Sequence, residues 1–254
     1  MSHKRVITGL FMILRMLFRR RVVLILLVVM PVVFLSVVEL TASAKMILFR
    51  LASLDQKVFI EESQKQISLI FFSVTSTGFL VSFLALNLIQ INSKVNRRLV
   101  ICGYHPIELL ISNLLSLLLV ILLIAIYIGL LIHAFFSVRH LPMYIFGLML
   151  TGFVYGCYGL AIGSLIKGKL EGVFFIVLLA NIDAGWLQNP MYYAEAQNNI
   201  IIRYLPAYFP SQSAIIAAFT DYSGTDSAFL SILYGSGFLI LSLLIFYNKM
   251  RIKK

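Results

Sequence analysis

Residues 163–170 come close to a nucleotide-binding motif. They read GSLIKGKL, which departs from the phosphate-binding pattern G-x-x-x-x-G-K-[ST] only at its last position, Leu170. The missing hydroxyl removes the magnesium ligand, and the apolar residues ahead of the stretch predict a helix where the motif requires a strand. We therefore expect no nucleotide site and no cofactor in this chain.

Ser236 lies between two glycines, a setting that would suit a serine nucleophile in a membrane helix. Such a serine needs a base within hydrogen-bond reach. His133 and His140 are the candidates, but nothing in the sequence fixes either histidine beside Ser236. Helix packing explains the glycines more simply, so we expect no catalytic residue.

The composition is that of a membrane protein. Apolar residues make up 61% of the 254, charged residues 12%, and the mean hydropathy is +0.97. The 21 lysines and arginines outnumber the 10 acids, but they lie between apolar runs, which favours anionic lipid over nucleic acid as their partner. Cys102 and Cys157 have no metal-ligand spacing. We predict a polytopic membrane protein without a metal site.

Six stretches are apolar enough to predict spanning helices, each of which needs about 20 such residues. The fifth contains Asp183 and counts as a span only if that acid lies within packed protein. The predicted fold is all-α, with one transmembrane domain over residues 1–254. The spans are 22–42, 66–92, 109–138, 141–166, 172–188 and 228–248.

The distribution of cations predicts the orientation, because lysine and arginine favour the cytoplasmic side. With an inside N-terminus, fifteen of the 21 fall on inner segments. We expect both termini in the cytoplasm and residues 189–227 outside. A cleaved signal peptide is the alternative, since residues 42–44 read ASA, but the preceding apolar run exceeds the roughly 7–15 residues of a signal peptide.

Residues 1–21 predict an amphipathic helix that lies in the membrane interface. Arg5, Arg15 and Arg19 fall on one side of this helix. A plain basic flank to the first span is the alternative, although it would not require helical spacing. The apolar side comprises Val6, Ile7, Leu10, Phe11, Leu14, Leu17 and Phe18.

Residues 93–107, between the second and third spans, predict a short helix that ends in a sharp turn. Ser93 can cap the start of this helix, Gly103 can end it in a left-handed conformation, and Pro106 with Glu108 can start the next span. An ordinary positively charged loop is the alternative, but it needs no caps. The segment is expected to transmit force or to bind a partner.

Small residues within the spans predict helix packing, and polar residues there predict either helix packing or a translocation pathway. Gly152, Gly156, Gly159 and Gly163 form one smooth face of the fourth span, which permits close approach of another helix. Polar side chains in the second span should face protein or water. A translocation path and a helix interface are equally supported for Ser73, Ser76, Thr77, Asn87 and Gln90.

Asp183 is the acid that falls well within a predicted span. A charged carboxylate facing lipid is costly, so we expect it to face a partner helix or a watery cavity. One hypothesis pairs Asp183, flanked by Asn181 and Trp186, with Arg203 or with polar groups near a dimer axis, as part of an outer gate. The other hypothesis treats it as an acid near a helix end that reaches outer water.

Residues 189–227 are too apolar for an ordinary exposed loop. Pro206 and Pro210 should interrupt any helix there. Ser211 could cap a helix that carries Ile215. We expect two short helices that form a re-entrant pair in the outer leaflet.

This arrangement resembles the permease subunits of the type-2 ABC transporter family, which includes bacterial drug, lipid and polysaccharide exporters. The likeness covers nearly the whole chain and includes the stretches NRRLVICGYHPIELLISNLL, YGLAIGSLIKGK and YLPAYFPSQSAIIA. It implies a subunit of the bacterial cytoplasmic membrane that pairs with a second permease and binds a separate ATPase, which holds ATP and magnesium. It also implies that residues 93–107 form the coupling helix. The implied contacts with the ATPase are Lys94, Arg97, Arg98, Leu99, Gly103, Tyr104 and His105.

The function that this resemblance implies is export of an amphipathic substrate such as a drug-like molecule, a peptide or a lipid. The chain itself is not expected to be an enzyme. No row of aromatic residues that would stack on sugars is evident, and no outer segment is long enough for a large extracellular domain. A polysaccharide-exporting permease, a non-transporting membrane partner and an intramembrane hydrolase are the alternatives.

Overall fold

The computed structural model describes residues 3–19, 21–51, 59–91, 98–166, 168–189, 192 and 199–250. Strands β1 (Met46–Arg50) and β2 (Phe59–Ser63) form an antiparallel hairpin. A turn of π-helix, Asp183–Leu187, extends α6. The α-helices are α1 (His3–Phe18), α2 (Arg21–Thr41), α3 (Gln64–Ile91), α4 (Pro106–Phe135), α5 (Leu141–Leu165), α6 (Lys169–Ile182), α7 (Asn199–Arg203), α8 (Tyr208–Phe219) and α9 (Thr225–Met250).

The six predicted spans correspond to helices long and apolar enough to cross a membrane, which confirms a helical multi-pass membrane protein. They are α2, α3, α4, α5, α6 with its π-helical turn, and α9. The third span begins at Pro106 rather than at residue 109, because proline is accommodated in the first turn of a helix. The hairpin is the departure from the predicted all-α fold.

Helix α5 lies at the centre of the molecule and packs against α3, α4, α8 and α9. The spanning parts of α3 and α5 are each 67% buried, compared with 17% for α2 and 22% for α9. Two of the largest fully buried side chains, Tyr144 and Tyr155, belong to α5. The core is therefore an α3–α5 pair, and α2 and α9 lie at the periphery.

The predicted glycine face of α5 lies along the packed interface with α3 and α4. A Cβ atom on Gly159 would come within 2.4 Å of the carbonyl oxygen of Ser82, so only glycine allows this separation of the backbones. Gly163 faces α3, Gly152 faces α4, and Gly156 lies where both helices meet α5. Close backbone approach between apolar helices is the role that such small residues have in membranes.

Polar groups of α3 also join the interface with α5. The Ser73 hydroxyl hydrogen-bonds the Tyr144 hydroxyl. The Gln90 Nε2 donates to the carbonyl oxygens of Ile166 and Gly168 at 3.3 and 3.2 Å. Of the two hypotheses for the polar residues of the second span, these contacts support a helix interface for Ser73 and Gln90.

The hairpin packs at one end of the bundle, against α3 and the end of α8. The end of α4 and the start of α5 contact the same end of α8; we call this the hairpin end. Phe49 and Leu51 are buried whereas Met46 and Leu48 are exposed, the alternation of a strand that covers a core. The rings of Phe49 and Phe219 lie 6.1 Å apart. The hairpin was not predicted, and this alternation of side chains is the pattern that could have indicated it.

Helix α1 packs along α4 at the opposite end of the bundle. Gly9 lies so close to Ser112 that a Cβ atom would come within 2.8 Å of the hydroxyl oxygen. The same hydroxyl donates to the carbonyl oxygen of Val6 at 3.1 Å. Val6 and Ile13 are buried here, whereas Phe11 is 65% exposed. One side of α1 therefore packs against α4, and another side is exposed.

Candidate functional site

A short helical segment, residues 98–101, ends at Gly103 as the sequence predicts. Gly103 has φ +91°, which is the left-handed region. The amide of Tyr104 donates to the carbonyl of Leu99, and the amide of Gly103 donates to the carbonyl of Val100, both at 3.0 Å. This pair of bonds is the Schellman motif, which satisfies carbonyls that a helix end leaves without partners.

The next helix, α4, starts immediately after this stop through a capping box at His105. The amide of Ile107 donates to His105 Nδ1, and the amide of His105 donates to Glu108 Oε2, both at 3.3 Å. Pro106 occupies the first turn, as predicted. Residues 98–105, which we call the capped turn, therefore join the short segment to α4 through a defined geometry.

The capped turn presents a mixed surface. Arg98, Cys102 and His105 are exposed, and Ile101 is 67% exposed. Leu99 and Tyr104 are half-buried. Ser93, Lys94 and Arg97, which were also predicted to belong to this segment, lie outside the described residues. An exposed cation beside an exposed aliphatic side chain suits a protein partner with an acidic rim and an apolar groove.

Asp183 is completely buried at the start of the π-helical turn. Its Oδ2 accepts hydrogen bonds from the Tyr155 hydroxyl at 2.6 Å and from the Ala207 amide at 2.9 Å. Its Oδ1 accepts from Gln188 Nε2 at 3.2 Å. We call Tyr155, Asp183, Gln188 and Ala207 the Asp183 cluster.

The π-helical turn explains why Asp183 can point into protein. A turn with five-residue hydrogen bonds is wider than an α-helical turn and leaves some carbonyls poorly satisfied. The Thr75 hydroxyl of α3 donates to the carbonyl oxygen of Ala184 at 2.8 Å, which supplies such a partner. Π-helical turns recur at functional sites, so this one marks the Asp183 cluster for attention.

The Asp183 cluster joins three elements that are distant in sequence. At 1.5 Å per residue, Asp183 lies about 21 Å along the axis from Lys169 at the start of α6. Ala207, which donates to it, directly precedes α8, so the carboxylate satisfies a donor at the start of that helix and complements its dipole. Gln188 also donates to the carbonyl of Ile202 in α7 at 3.4 Å.

Neither hypothesis for Asp183 describes its surroundings fully. The carboxylate makes no ion pair with Arg203, whose side chain is exposed. It also does not reach water, because it is fully buried. Its partners are neutral donors, and Tyr155 and Gln188 were not among the predicted residues. The geometry agrees with the expectation in one respect, which is that protein encloses the carboxylate.

The other candidate pathway residues lie apart from the Asp183 cluster. Asn181 is exposed and donates to the carbonyl of Val177, and Trp186 is exposed with its ring 5.4 Å from that of Tyr192. Ser76 and Asn87 are half-buried. Asn87 is about 18 Å along α3 from Thr75, the residue that contacts the π-helical turn.

Helix α8 is buried at every position except Phe209, which is half-buried, and is fixed at both ends. At the hairpin end, the amides of Arg139 and His140 donate to the carbonyls of Ala218 and Ala217, both at 3.1 Å. At the other end Ala207, which directly precedes the helix, donates to Asp183. The middle packs closely, since a Cβ atom on Gly147 of α5 would come within 2.8 Å of the Ala214 backbone.

Two details of the predicted segment need correction. Pro210 lies in the first turn of α8 and does not interrupt the helix, because a proline there removes no required amide. Ser211 does not cap the helix; its hydroxyl donates to the carbonyl of Tyr208 at 2.8 Å. Pro206 does lie between α7 and α8, as expected for a residue that separates them.

A set of exposed charged and polar side chains lies beside the end of α8, at the hairpin end. Asp221 accepts a hydrogen bond from His140 Nε2 at 2.8 Å and forms an ion pair with Arg139. The hydrogen bond from His140 and the positive charge of Arg139 lower the pKa of the Asp221 carboxyl below its ordinary value. Beside this group, a cavity of about 410 Å³ opens between α5, α8 and α9.

A continuous row of aromatic rings runs from α5 over α9 to α8, and neighbouring rings meet edge-on or tilted. Neighbouring ring centroids are between 5.1 and 6.4 Å apart. The sequence obscured the row because its members come from three helices. In order they are Tyr155, Tyr158, Phe238, Tyr234, Phe209 and Tyr208, and the first and last are buried whereas the others are half-buried.

No protein-family model matches the chain, and comparison with curated proteins finds no match. Its function must therefore be argued from the residues and their geometry.

Proposed function

We propose that this chain is the membrane subunit of an ATP-driven exporter and that a separate ATPase docks on the capped turn. The capped turn is the observation that carries the proposal. Its helical segment and α4 are joined by a Schellman motif and a capping box, so a displacement of one is passed to the other. Its exposed Arg98 and Ile101 offer a charged and an apolar contact.

Closure of an ATPase pair would then push on the capped turn and tilt α3 and α4. Helix α5 packs against both of them and also against α8. A tilt would thus reach α8, which acts in this proposal as a re-entrant element held by the Asp183 cluster at its inner end. Helix α1 would lie in the membrane interface, and a second permease subunit would complete the pathway.

The substrate class proposed first is an amphipathic molecule. The cavity at the hairpin end supports this choice, because Met143 and Phe146 give it apolar walls whereas His140 and Asp221 give it a polar side. The aromatic row favours a second candidate, a glycan-exporting permease, since flat rings can stack on sugars. Stimulation of ATP hydrolysis by amphipathic compounds or by glycans separates the two.

The double substitution Arg97→Glu with Arg98→Glu tests the docking site. Reversing both charges should remove charge-assisted contacts with the ATPase. Loss of such contacts costs on the order of 2–5 kcal/mol in interfaces, so co-purification of the ATPase and transport should both fail. The measurements are pull-down of a co-expressed ABC ATPase, ATP hydrolysis and transport in vesicles.

Lys167→Glu with Lys169→Glu is the matched control, because it makes the same change of charge between α5 and α6. This control should keep the ATPase, and both variants should insert and unfold like the wild type. Normal ATPase binding and export in the Arg97→Glu, Arg98→Glu variant would refute docking on the capped turn. Equal loss of ATPase binding and export in the control would show that the effect comes from surface charge in general.

The single exposed cysteine among the described residues allows the orientation to be tested in the unmodified chain. Cys102 is exposed in the capped turn, whereas Cys157 is buried. An impermeant maleimide should label Cys102 only after the cells are permeabilised. Ser223→Cys in a Cys102→Ser background should instead be labelled in intact cells. The reverse pattern would overturn the predicted topology and, with it, cytoplasmic docking.

A further inference from the structure

A narrow apolar groove runs between α2 and the α3–α4 surface, beneath the junction of α1 and α2. It has a volume of about 270 Å³. Phe18 of α1, Leu27 of α2 and Leu84 of α3 line it, and so does Leu123 of α4, which is 55% exposed. Of the described residues that line the groove, Tyr127 alone has a polar side-chain atom.

Tyr127 contributes no free polar group to the groove, since its hydroxyl donates to the carbonyl of Val28 at 2.7 Å. This bond ties α4 to α2 and closes the deep end. The groove therefore has an apolar interior whose polar atoms are already satisfied. Hydrocarbon is the chemistry that such a surface accepts.

The other end of the groove lies at a concentration of positive charge. Arg19 follows Phe18 directly, Arg21 begins α2, and both are exposed, as is Arg15. The first 21 residues contain six lysines and arginines and no acid. Within the described part of the chain, no acid forms an ion pair with Arg15, Arg19 or Arg21.

We infer that this groove is a binding site for one anionic phospholipid, with an acyl chain along Leu27 and Leu123 and the phosphate at Arg19 and Arg21. Charge complementarity selects an anionic headgroup over a neutral one. The groove is lined by aliphatic and aromatic side chains, so it accepts the hydrocarbon chain of such a lipid. The bound lipid would fasten α1 and α2 to the α3–α4 core.

The inference is independent of the proposed transport function and is tested on the full chain in nanodiscs. The probes are dioleoyl-phosphatidylglycerol and dioleoyl-phosphatidylcholine, competed against each other and counted by native mass spectrometry after release. We expect one phosphatidylglycerol to be retained and to raise the unfolding temperature in detergent. Arg19→Gln with Arg21→Gln should weaken its binding by about thirtyfold, because each arginine near an anionic lipid contributes about fivefold to the affinity.

Filling the groove gives an orthogonal test that leaves the charges intact. Leu27→Trp should abolish retention of phosphatidylglycerol, because the indole would occupy the path of the acyl chain. Ile240→Trp is the matched control on α9, where Ile240 is 58% exposed away from the groove. Lys169→Gln is the control for the arginines. Equal retention of the two lipids by the wild type, or equal loss in Ile240→Trp and Leu27→Trp, would show only general lipid contact and overturn the site.

Discussion

The capped turn and the Asp183 cluster both end one helix and begin another, but they do so with different groups. The capped turn uses backbone amides, a left-handed glycine and an exposed histidine cap. The Asp183 cluster uses one fully buried carboxylate that accepts three hydrogen bonds. A helix end at a surface can also be satisfied by water, whereas a helix end within packed protein depends on side chains.

Because of this difference, the two sites should respond differently to substitution. In the capped turn Arg98 and Ile101 are exposed, so a partner can contact them while the fold persists. In the Asp183 cluster the bonds that satisfy the carboxylate also join the π-helical turn to α5 and to the start of α8, and Gln188 links the same turn to α7. Damage to the cluster should therefore affect stability and gating together, whereas damage to the capped turn should chiefly affect coupling.

Removal of the Asp183 carboxylate should have the largest effect on stability. Asp183→Ala leaves the Tyr155 hydroxyl and the Ala207 amide without their acceptor, whereas Gln188 keeps the carbonyl of Ile202. Each unsatisfied buried donor costs about 1–3 kcal/mol, so the loss should be at least about 2 kcal/mol. Chemical unfolding in detergent measures it.

The neighbouring substitution Asn181→Ala is the control for Asp183→Ala. Asn181 is exposed, and its replacement should stay within about 0.5 kcal/mol of the wild type. Equal stability of the two variants would show that the cluster does not hold the fold.

A milder change at the same position tests gating. Asp183→Asn retains the shape of the side chain but replaces one acceptor oxygen with a donor, which opposes the donors around it. We expect a smaller loss of stability with raised basal ATP hydrolysis or substrate leak. Wild-type values for expression, transport and basal hydrolysis would reject a gating role for Asp183.

The glycine face of α5 should show the next largest effect. Gly159→Ala would bring a methyl group against the Ser82 carbonyl, and overpacking of this kind costs about 1–3 kcal/mol. Gly237→Ala on α9 is the matched control, because no atom lies within 4 Å of its Cβ position. The control should be neutral or slightly stabilising, since alanine favours a helix over glycine. The same unfolding assay compares them, and an equal response would place α3 and α5 further apart than described.

The elements that local sequence determines were predictable. Long apolar runs identified the spans, because a bilayer requires about 20 such residues whatever the remaining contacts are. Gly103 and Pro106 identified the capped turn, because helix stops and starts depend on nearby residues. The spacing of Gly152, Gly156, Gly159 and Gly163 likewise indicated one packed face.

The features that depend on distant residues were not predictable from local patterns. The bond from Tyr155 to Asp183 requires α5 and α6 to pack side by side, and the aromatic row takes its members from three helices. Arg203 was chosen as the partner of Asp183 because it is the nearest outer-side cation in sequence. Neutral donors were closer in space, since the chain from the π-helical turn returns to Asp183 at Ala207.

Substitution of Gly103 should have the smallest effect on stability. It tests whether the capped turn is a rigid connection. No atom lies within 4 Å of a Cβ placed on Gly103, so substitution there meets no steric clash and its cost comes from the backbone alone. At φ +91° an alanine is strained by about 1–2 kcal/mol, whereas asparagine tolerates this region better. Gly103→Ala should therefore lower stability by about 1 kcal/mol and weaken ATPase binding, and Gly103→Asn should restore most of both. Unfolding in detergent and pull-down of the ATPase measure the two quantities on the same preparations. If alanine and asparagine both behave like glycine, the left-handed stop is not required, and the capped turn is not the rigid connection that coupling through α4 needs.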